Sequence, residues 1–204
     1  MAASIIPIIL AGGASTRMGR VKALCELGGQ TCLELALAAC RPRSDVPELR
    51  RSIVVLGHAS REVAARVDLG AVDVVINRRP ERGQTSSLQE GLRVLPPGAD
   101  AFLVYPVDFP LIQPQDVARL IAAFRTRPAG VHVVVPSHAG RRGHPALFAA
   151  ALGDEILALP DGGSARDVLA AHAAAILHVG YDTDRVITDM DTPEDYERIR
   201  TRFR

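Results

Sequence analysis

The stretch that decides the fold is Ile5-Ile-Pro-Ile-Ile-Leu-Ala-Gly-Gly-Ala-Ser-Thr-Arg-Met-Gly19, in which a short apolar run leads directly into a glycine-rich loop. The apolar part, Ile5–Leu10, falls well short of the roughly 20 apolar residues that a membrane span needs. No basic residues precede it, as they would precede the apolar segment of a signal peptide. The run therefore predicts a buried first strand, with the glycine-rich loop leaving its carboxyl end.

Strand-like and helix-like segments alternate along the rest of the chain, which is typical of a mostly parallel sheet covered by helices on both faces. Apolar runs predict strands at Ile5–Leu10, Ser52–Leu56, Val72–Ile76, Ala101–Tyr105, Val131–Val135, Ala146–Phe148 and Ala175–Val179. Apolar residues at helical spacing predict helices at Thr31–Arg41, Ser60–Val67, Ser86–Leu95, Gln115–Phe124, Ala165–His172 and Pro193–Phe203. No repeat or linker interrupts the pattern, so we expect residues 1–204 to form one α/β domain.

Capping residues support several of these helix starts. Thr31 and Glu34 have the spacing of a capping box, in which each side chain bonds to the other's backbone. Ser60 is expected to cap the second helix, and Pro193 suits the first position of the last one. The residues from 136 to 143 predict a loop or hairpin between two strands.

The charge and cysteine content excludes several classes of protein. The formal net charge is +1, which gives no broad attraction to nucleic acid or to acidic lipid. Cys25, Cys32 and Cys40 have neither disulfide nor metal-site spacing, and we interpret them as small buried residues in a reducing compartment. We therefore expect a cytoplasmic protein without a nucleic acid or membrane partner. Lys22 is the only lysine among 24 basic residues, which makes it a candidate functional residue.

The first loop carries the groups that an anion site requires. Backbone N–H groups at Gly12 and Gly13 could approach an anion closely, and Ser15 adds a hydroxyl donor. Arg17 and Lys22 supply positive charge, a combination that suits a triphosphate. The spacing matches neither G-x-x-x-x-G-K-S/T nor G-x-G-x-x-G. The alternative is a tight strand-to-helix turn with solvated arginines.

Carboxylates follow the fourth strand and precede the last helix. Asp108 is predicted at the same sheet edge as the first loop, where it could hold magnesium. Alternatively, it accepts hydrogen bonds in the turn before Pro110. Capping by Thr192 explains the acids of the last helix but leaves Asp189 and Asp191 unexplained. These two, one residue apart on a predicted strand end, could complete a metal site with Asp108.

Two further blocks have both functional and structural interpretations. Gly83-Gln-Thr-Ser-Ser-Leu88 leads into a helix and could meet a base, a ribose or a phosphate, or Ser86 could simply cap the helix. Gly143-His-Pro145 lies at the predicted hairpin, where a lone histidine is more often structural than catalytic. Arg141, Arg142 and Arg166 either bind an anionic ligand or are solvated.

Together these blocks resemble the MobA-like nucleotidyltransferases, especially the molybdenum cofactor cytidylyltransferase branch, over nearly the whole chain. The resemblance rests on the order and spacing of five blocks, which is far more specific than any one of them. They are Leu10-Ala-Gly-Gly-Ala-Ser-Thr-Arg-Met-Gly19 with Lys22, Asn77 with Gly83-Gln-Thr-Ser-Ser-Leu88, Pro106-Val-Asp-Phe-Pro110, Gly143-His-Pro145 and Asp189-Met-Asp-Thr-Pro-Glu-Asp-Tyr196.

The resemblance implies a three-layer α/β/α Rossmann-like fold of the nucleotide-diphospho-sugar transferase type. It implies transfer of a nucleoside monophosphate, with CMP favoured, from an NTP to the phosphate of molybdopterin or molybdenum cofactor, with release of pyrophosphate. It also implies a molybdoenzyme or its chaperone as a possible partner. The NTP-binding residues that it implies are Leu10, Ala11, Gly12, Gly13, Ser15, Arg17, Lys22, Asn77, Gly83, Ser86 and Ser87.

The same resemblance assigns the remaining roles. Arg17, Lys22 and Asp108 would be catalytic, and Asp108 and Asp191 would bind Mg²⁺ as the cofactor. The acceptor would lie against Gly143, His144 and Pro145.

Two departures from the branch keep alternatives open. The branch usually has Leu-Ala-Ala-Gly in the first loop, but this chain has Leu10-Ala-Gly-Gly13, as the guanylyltransferases do, which leaves CTP and GTP as candidates. The segment Asp161-Gly-Gly-Ser-Ala-Arg166 also differs from the usual Gly-Asp-x-Gly-Ala-Arg. Other acceptors, such as a sugar phosphate or phospholactate, remain possible. So does a non-catalytic module that binds a nucleotide or chaperones the cofactor.

Overall fold

A mixed eight-stranded sheet forms the centre of the computed structural model, which describes residues 3–203. The strands, numbered along the chain, are β1 (Ile5–Ala11), β2 (Glu26–Leu27), β3 (Gln30–Thr31), β4 (Ile53–Leu56), β5 (Asp73–Ile76), β6 (Ala101–Pro106), β7 (Val133–His138), β8 (Arg141–Arg142), β9 (Ala146–Ala149) and β10 (Ile176–Gly180). Strands β2 and β3 form a separate hairpin. The main sheet has the order β10-β7-β9-β6-β1-β4-β5, with β8 paired to β7.

The main sheet is mostly parallel, as the sequence predicts. Strands β1, β4, β5 and β6 pair in parallel, and so do β7 and β10. Strand β9 is antiparallel to both β6 and β7, so it separates the two parallel groups, and the short β8 is also antiparallel to β7. The carboxyl ends of β1, β4 and β6 therefore meet at one edge of the sheet, and the loops that follow them are neighbours.

Seven α-helices of the described residues cover the sheet: α1 (Cys32–Ala39), α2 (Ser60–Arg66), α3 (Gln84–Arg93), α4 (Pro114–Arg125), α5 (Gly153–Leu157), α6 (Ala165–Ala171) and α7 (Pro193–Arg200). Alternate residues of β1 face opposite sides, because side chains along a strand alternate. Ile9 packs in one apolar cluster with residues of α1, α2, α4 and α7. Ile8 packs in a second cluster with residues of α3, α5 and α6. The two clusters confirm the predicted three-layer α/β/α arrangement.

Most predicted helices and strands are present, with small shifts at their ends. The capping box of Thr31 and Glu34 is confirmed, with the Thr31 N–H donating to Glu34 Oε2 at 2.7 Å. The predicted cap at Ser60 is wrong, because the N-cap residue of α2 is Ala59. The predicted hairpin is confirmed, since Ser137 and His138 pair with β8. Within residues 3–203, no helix is long and apolar enough to cross a membrane.

Candidate active site

A cleft of about 350 Å³ opens at the carboxyl edge of the sheet, between the loops that follow β1 and β6. It brings together residues that are far apart in sequence, including Lys22, Asp108 and Asp191. Eleven of the predicted site residues line it: Leu10, Ala11, Gly12, Gly13, Ser15, Arg17, Lys22, Gly83, Ser87, Asp108 and Asp191. The sequence prediction that the first loop, Asp108 and Asp191 share one site is therefore realised in the fold.

The first loop is fixed by close backbone packing and by one strained residue. Strands β1 and β4 are parallel neighbours, so Gly57 after β4 lies against Gly12 after β1. A Cβ atom on Gly57 would lie 2.3 Å from the Gly12 carbonyl oxygen, so only glycine fits there. Ser15 has a positive φ of 54°, and its Oγ accepts a hydrogen bond from the Lys22 N–H at 3.1 Å. These contacts hold the loop and Lys22 in one arrangement.

Lys22 lies between the two carboxylates at the base of the cleft. Its Nζ is 2.5 Å from Asp191 Oδ1 and 3.4 Å from Asp108 Oδ2. The Arg17 guanidinium is 2.8 Å from the other oxygen of Asp191. Two carboxylates and two cations thus share a small space. The Lys22 side chain is only 15% exposed, so its contacts with the acids are partly shielded from water.

The two carboxyl groups have opposite pKa shifts. Burial raises the pKa of Asp108 above its ordinary value, although Lys22 acts in the other direction. The hydrogen bond from Lys22, together with the charge of Arg17, lowers the pKa of Asp191. Asp108 also has a buried oxygen, Oδ1, that finds no hydrogen-bond partner among the described residues. A desolvated carboxylate oxygen without a donor is suited to bind a cation.

The donor set fits a hard divalent cation such as Mg²⁺. Mg²⁺ binds through one or two carboxylates, keeps several waters and contacts substrate phosphates. Asp108 and Asp191 supply the two carboxylates, and Lys22 already places a positive charge beside both of them. No group of three or more His, Cys, Asp or Glu side chains that could hold a metal occurs within residues 3–203. An all-protein cage is therefore not formed in that part of the chain.

Asp189 does not join this pair. The sequence placed it on a strand end beside Asp191, but these residues lie in an irregular segment between β10 and α7. Asp189 is exposed and does not line the cleft, whereas Met190 between the two acids is fully buried. The predicted strand-end position of Asp189 is therefore wrong, and Asp189 lies outside the cleft that Asp108 and Asp191 line.

The start of α3 forms another wall of the cleft. Only some of the nucleotide-binding residues predicted in this region line that wall. Gly83 and Ser87 line the cleft, whereas Asn77 and Ser86 are buried behind it. Asn77 Nδ2 donates to Ser86 Oγ at 2.9 Å and to Ser87 Oγ at 3.0 Å. Neither Asn77 nor Ser86 of the predicted nucleotide-binding set therefore lines the cleft, and Asn77 instead holds the side chain of Ser87, which does. Helix α3 begins after Gly83, so Ser86 is not its N-cap either.

A second cavity of about 400 Å³ adjoins the cleft and shares Leu10 and Gln84 with it. Gly143 and His144 of the predicted acceptor block line it, whereas Pro145 is buried and does not. A Cβ atom on Gly143 would lie 2.0 Å from the Val186 carbonyl oxygen, so this position requires glycine. The predicted acceptor block is therefore only partly accessible to a ligand.

His144 is an uncharged residue of this second cavity at neutral pH. Burial and the nearby charge of Arg166 lower the pKa of His144 to about 4. Its Nδ1 is buried without a hydrogen-bond partner among residues 3–203, and its ring centroid is 4.7 Å from that of Phe109. His144 thus contributes a neutral polar atom rather than a positive charge.

Sequence reasoning missed two residues of the site. Gly57 supports the first loop, and the only signal for it is a glycine directly after a predicted strand. Gln84 is exposed and lines both cavities, and its place within the Gly83–Leu88 block could have identified it.

The sequence model of one protein family, the MobA-like NTP transferase domain, matches residues 7–176. This span contains the first loop, Asp108 and the Gly143–Pro145 block. The chain belongs to the MobA-like NTP transferase family. This chain is 33% identical over 153 residues to a molybdenum cofactor guanylyltransferase from Rhizobium meliloti, and the match covers 73% of this chain and 65% of that protein. It is 31% identical over 199 residues to a phosphoenolpyruvate guanylyltransferase from Rubrobacter xylanophilus, covering 96% of this chain and 92% of that protein.

Other matches include a longer protein and solved structures. The bifunctional protein GlmU from Xanthobacter autotrophicus is 31% identical over 76% of this chain, which spans only 34% of that protein. The crystal structure of Rv0371c from Mycobacterium tuberculosis H37Rv superposes with a TM-score of 0.82 at 25% identity, covering 98% of this chain and 100% of that chain. A structure of Rv0371c in complex with manganese covers 98% of this chain and 99% of that chain, with a TM-score of 0.77 and 25% identity.

Proposed function

We propose that this protein is a magnesium-dependent nucleotidyltransferase that transfers a nucleoside monophosphate from an NTP to the phosphate of a molybdopterin-type acceptor. The observation that carries the proposal is the position of Lys22 between Asp108 and Asp191, at the foot of the glycine-rich loop. A site that only bound a nucleotide would need fewer charges at this point. Membership of the MobA-like NTP transferase family supports the same chemistry.

The reaction is an in-line displacement at phosphorus. An oxygen of the acceptor phosphate attacks the α-phosphorus of the NTP and forms a new phosphoanhydride bond, while the bond to the β-phosphate breaks and pyrophosphate leaves. The attacking phosphate is already an anion, so no strong general base is required. Catalysis therefore depends on positioning and on neutralisation of charge. Backbone N–H groups of the first loop hold the triphosphate, and Arg17 and Lys22 offset its negative charge.

Asp108 and Asp191 would hold the metal ion, which when bound would neutralise the phosphates and orient the α-phosphate. The unpartnered Oδ1 of Asp108 and the chemistry of the two carboxylates support this assignment. The manganese complex of Rv0371c adds support, since that protein resembles this chain over nearly its whole length.

The choice of nucleotide has two candidates. The Gly143-His-Pro145 block resembles the cytidylyltransferase branch and favours CTP, so CMP is the group that we propose is transferred. GTP is the second candidate because Gly12 stands where that branch has alanine, and because two relatives are guanylyltransferases. A Cβ atom at Gly12 would lie 3.2 Å from Ser87 Oγ, so this position affects the wall of the cleft directly.

The proposals for the acceptor and for a protein partner rest on the two guanylyltransferase relatives. The guanylyltransferase from Rhizobium meliloti supports a molybdenum cofactor acceptor, and a molybdoenzyme or its chaperone would then receive the product. The phosphoenolpyruvate guanylyltransferase supports a second candidate, transfer to a small phosphorylated carboxylic acid.

The test is pyrophosphate release with each of the four NTPs, Mg²⁺ and a panel of acceptors. We expect release with CTP and molybdenum cofactor, and none when Mg²⁺ is removed by a chelator. Release with GTP alone would overturn the choice of CMP, and release only with another acceptor would overturn the choice of molybdopterin. A nucleotide-binding module predicts calorimetric binding of NTP with no pyrophosphate release from any pair, which would overturn the proposed activity.

A further inference from the structure

The second cavity contains two positive charges and, in the part of the chain that the structure describes, no negative charge. Arg142 from β8 and Arg166 from α6 both line it, and no aspartate or glutamate of residues 3–203 does. Neither arginine forms an ion pair with any carboxylate within residues 3–203. His144 adds no charge at neutral pH, because burial keeps its pKa low. The cavity is therefore positive through these two guanidinium groups.

The rest of the cavity is largely apolar. Side chains from four strands and two helices form its walls: Leu10, Leu88, Val104, Val135, Ala146, Phe148 and Leu169. A ligand that fills it would bury an apolar or planar body against these residues and present a negative charge to the arginines. This chemistry differs from that of the nucleotide cleft, where positive and negative side chains converge at Lys22.

Hydrogen bonds hold the Arg142 side chain and the backbone at or beside both arginines. The Arg142 Nε donates to His178 Nε2 at 2.9 Å, which orients the guanidinium and leaves its two terminal nitrogens free to bind a ligand. The Gly143 N–H, next to Arg142, donates to the Pro136 carbonyl at 2.8 Å. On the opposite side, the Arg166 N–H donates to Ser164 Oγ at 3.2 Å. Two cations on separate elements, one of them oriented by His178, suit binding of a carboxylate or a similar anion.

A further contact couples this side of the cavity to the nucleotide cleft. The Ala165 N–H, next to Arg166, donates to Thr85 Oγ1 at 3.3 Å, in the first turn of α3. Arg82, which precedes that helix, pairs with Asp161 in the loop before α6. The cavity is thus an extension of the cleft, and one ligand can occupy both the cavity and the cleft's edge.

We propose that Arg142 and Arg166 bind a second anionic group of the acceptor, separate from the phosphate that attacks the nucleotide. The inference rests on the proposed transfer reaction, because the attacking phosphate must lie beside Lys22 and Asp108 in the first cleft. It selects acceptors that carry a phosphate, an apolar or planar body and another negative charge. A carboxylate and the oxo-metal dithiolate of molybdenum cofactor both meet this requirement, whereas a sugar phosphate with a neutral body does not.

The experiment compares acceptors with and without the second charge. Pyrophosphate release is measured with molybdenum cofactor, phosphoenolpyruvate and 3-phosphoglycerate, and with glycerol 3-phosphate, in which a hydroxymethyl group replaces the carboxylate of 3-phosphoglycerate. We expect kcat/KM for the best anionic acceptor to exceed that for glycerol 3-phosphate by about 10- to 100-fold, the value of one or two charge-assisted hydrogen bonds. Comparison of molybdenum cofactor with the two carboxylates shows whether an oxo-metal dithiolate or a carboxylate supplies the second negative charge.

Variants identify which group the arginines bind. Arg142→Gln and Arg166→Gln should each raise the KM for anionic acceptors about 10-fold or more, with little change in kcat or in the KM for NTP. Arg141→Gln is the matched control, since Arg141 is the neighbouring exposed arginine on β8 and does not line the cavity. Arg166→Lys should raise the KM for anionic acceptors less than Arg166→Gln does, because lysine keeps the positive charge.

Three results would overturn the inference. Equal use of glycerol 3-phosphate and 3-phosphoglycerate, where either is a substrate, would remove the need for a second anion. Equal losses for every acceptor in the arginine variants would show that the arginines hold the attacking phosphate itself. Unchanged kinetics in both variants would show that they hold neither.

Complete absence of pyrophosphate release would instead count against the proposed function. Calorimetry then decides the anion site separately, with 3-phosphoglycerate titrated into the wild type and the Arg142→Gln and Arg166→Gln variants. Weaker binding in both variants would support the site, and equal binding would overturn it.

Discussion

The backbone N–H of Met190 donates to the carbonyl oxygen of Asp108 at 2.8 Å, which joins two segments that are 82 positions apart. Asp191 follows Met190 directly, so this bond fixes one carboxylate of the site relative to the other. Met190 itself is fully buried, and it holds the segment against the core. The pair of acids is thus set by backbone contact as well as by the shared ion pairs with Lys22.

Asp108→Asn should reduce kcat/KM by at least about 100-fold while leaving the fold intact. The neutral amide keeps the shape of the side chain but removes a charge that would hold the metal. Burial disfavours the charged form of Asp108, so its removal should leave the free energy of unfolding unchanged or raise it. Pyrophosphate release and urea denaturation measure the two effects.

Asp189→Asn is the control for this prediction, because Asp189 is an exposed acid two positions from Asp191 and outside the cleft. It should retain wild-type activity. Substantial magnesium-dependent activity in Asp108→Asn would refute the role assigned to Asp108.

Asn77→Ala should reduce stability and nucleotide affinity together. The substitution removes the donor to Ser86 Oγ and Ser87 Oγ, and it leaves the buried Ser87 hydroxyl without this partner, whereas Ser86 Oγ still donates to the Gly83 carbonyl. The expected loss is about 1–3 kcal/mol in the free energy of unfolding, with a raised KM for NTP because Ser87 is no longer held. Ser87→Ala should raise the KM with a smaller loss of stability. An Asn77→Ala protein that is destabilised but has the wild-type KM would show that Asn77 does not act through Ser87.

The sequence was sufficient to predict the features that depend on local pattern. The apolar run before Gly12 predicts β1. Because ligands bind at the carboxyl ends of parallel strands, the sequence also predicts that Asp108, after the fourth strand, lies at the same edge of the sheet as the first loop. The reversed direction of β9 depends on pairing with β6 and β7, which no local pattern specifies. The short helix α5 lacks a strong periodic signal and was not predicted. The exposed position of Asp189 results from an irregular segment, where strand alternation does not apply.

Contacts between side chains distant in sequence also escape prediction. Asn77 appears in the nucleotide-binding block of the resemblance, but its role depends on hydrogen bonds to two serines about ten residues later. Its burial behind Ser87 follows from the packing of α3 against the sheet. The contact of Gly57 with Gly12 similarly requires that β4 be the neighbour of β1.

The stability of the protein should depend on pH through His144. Its pKa in the folded protein is about 4, below the ordinary value of about 6.5. Between these values the unfolded chain binds a proton that the folded protein does not, so the free energy of unfolding falls as the pH falls. The contribution is of order 1–3 kcal/mol, present above about pH 6.5 and lost towards pH 4.

Chemical denaturation at pH 7 and pH 4.5 tests this dependence. The difference in unfolding free energy between the two pH values should be smaller in His144→Asn than in the wild type. His58→Asn, which removes an exposed histidine, should behave like the wild type. The same pH dependence in all three proteins would mean that His144 does not remain neutral in the folded state.

Gly57→Ala should displace the first loop and reduce nucleotide binding. The new Cβ atom would lie 2.3 Å from the Gly12 carbonyl oxygen and 2.9 Å from its Cα, so backbone rather than a flexible side chain must move. A shift of about 1 Å in a binding loop can cost about 100-fold in kcat/KM, and the strain should also reduce stability by about 1–3 kcal/mol. Gly180→Ala is the matched control, because its Cβ would meet nothing within 4 Å. Both variants are assayed at a temperature where circular dichroism shows them folded, so that lost activity reports on the loop. Wild-type KM for NTP in Gly57→Ala would show that the loop adapts, and that the contact between Gly57 and Gly12 does not set the nucleotide site.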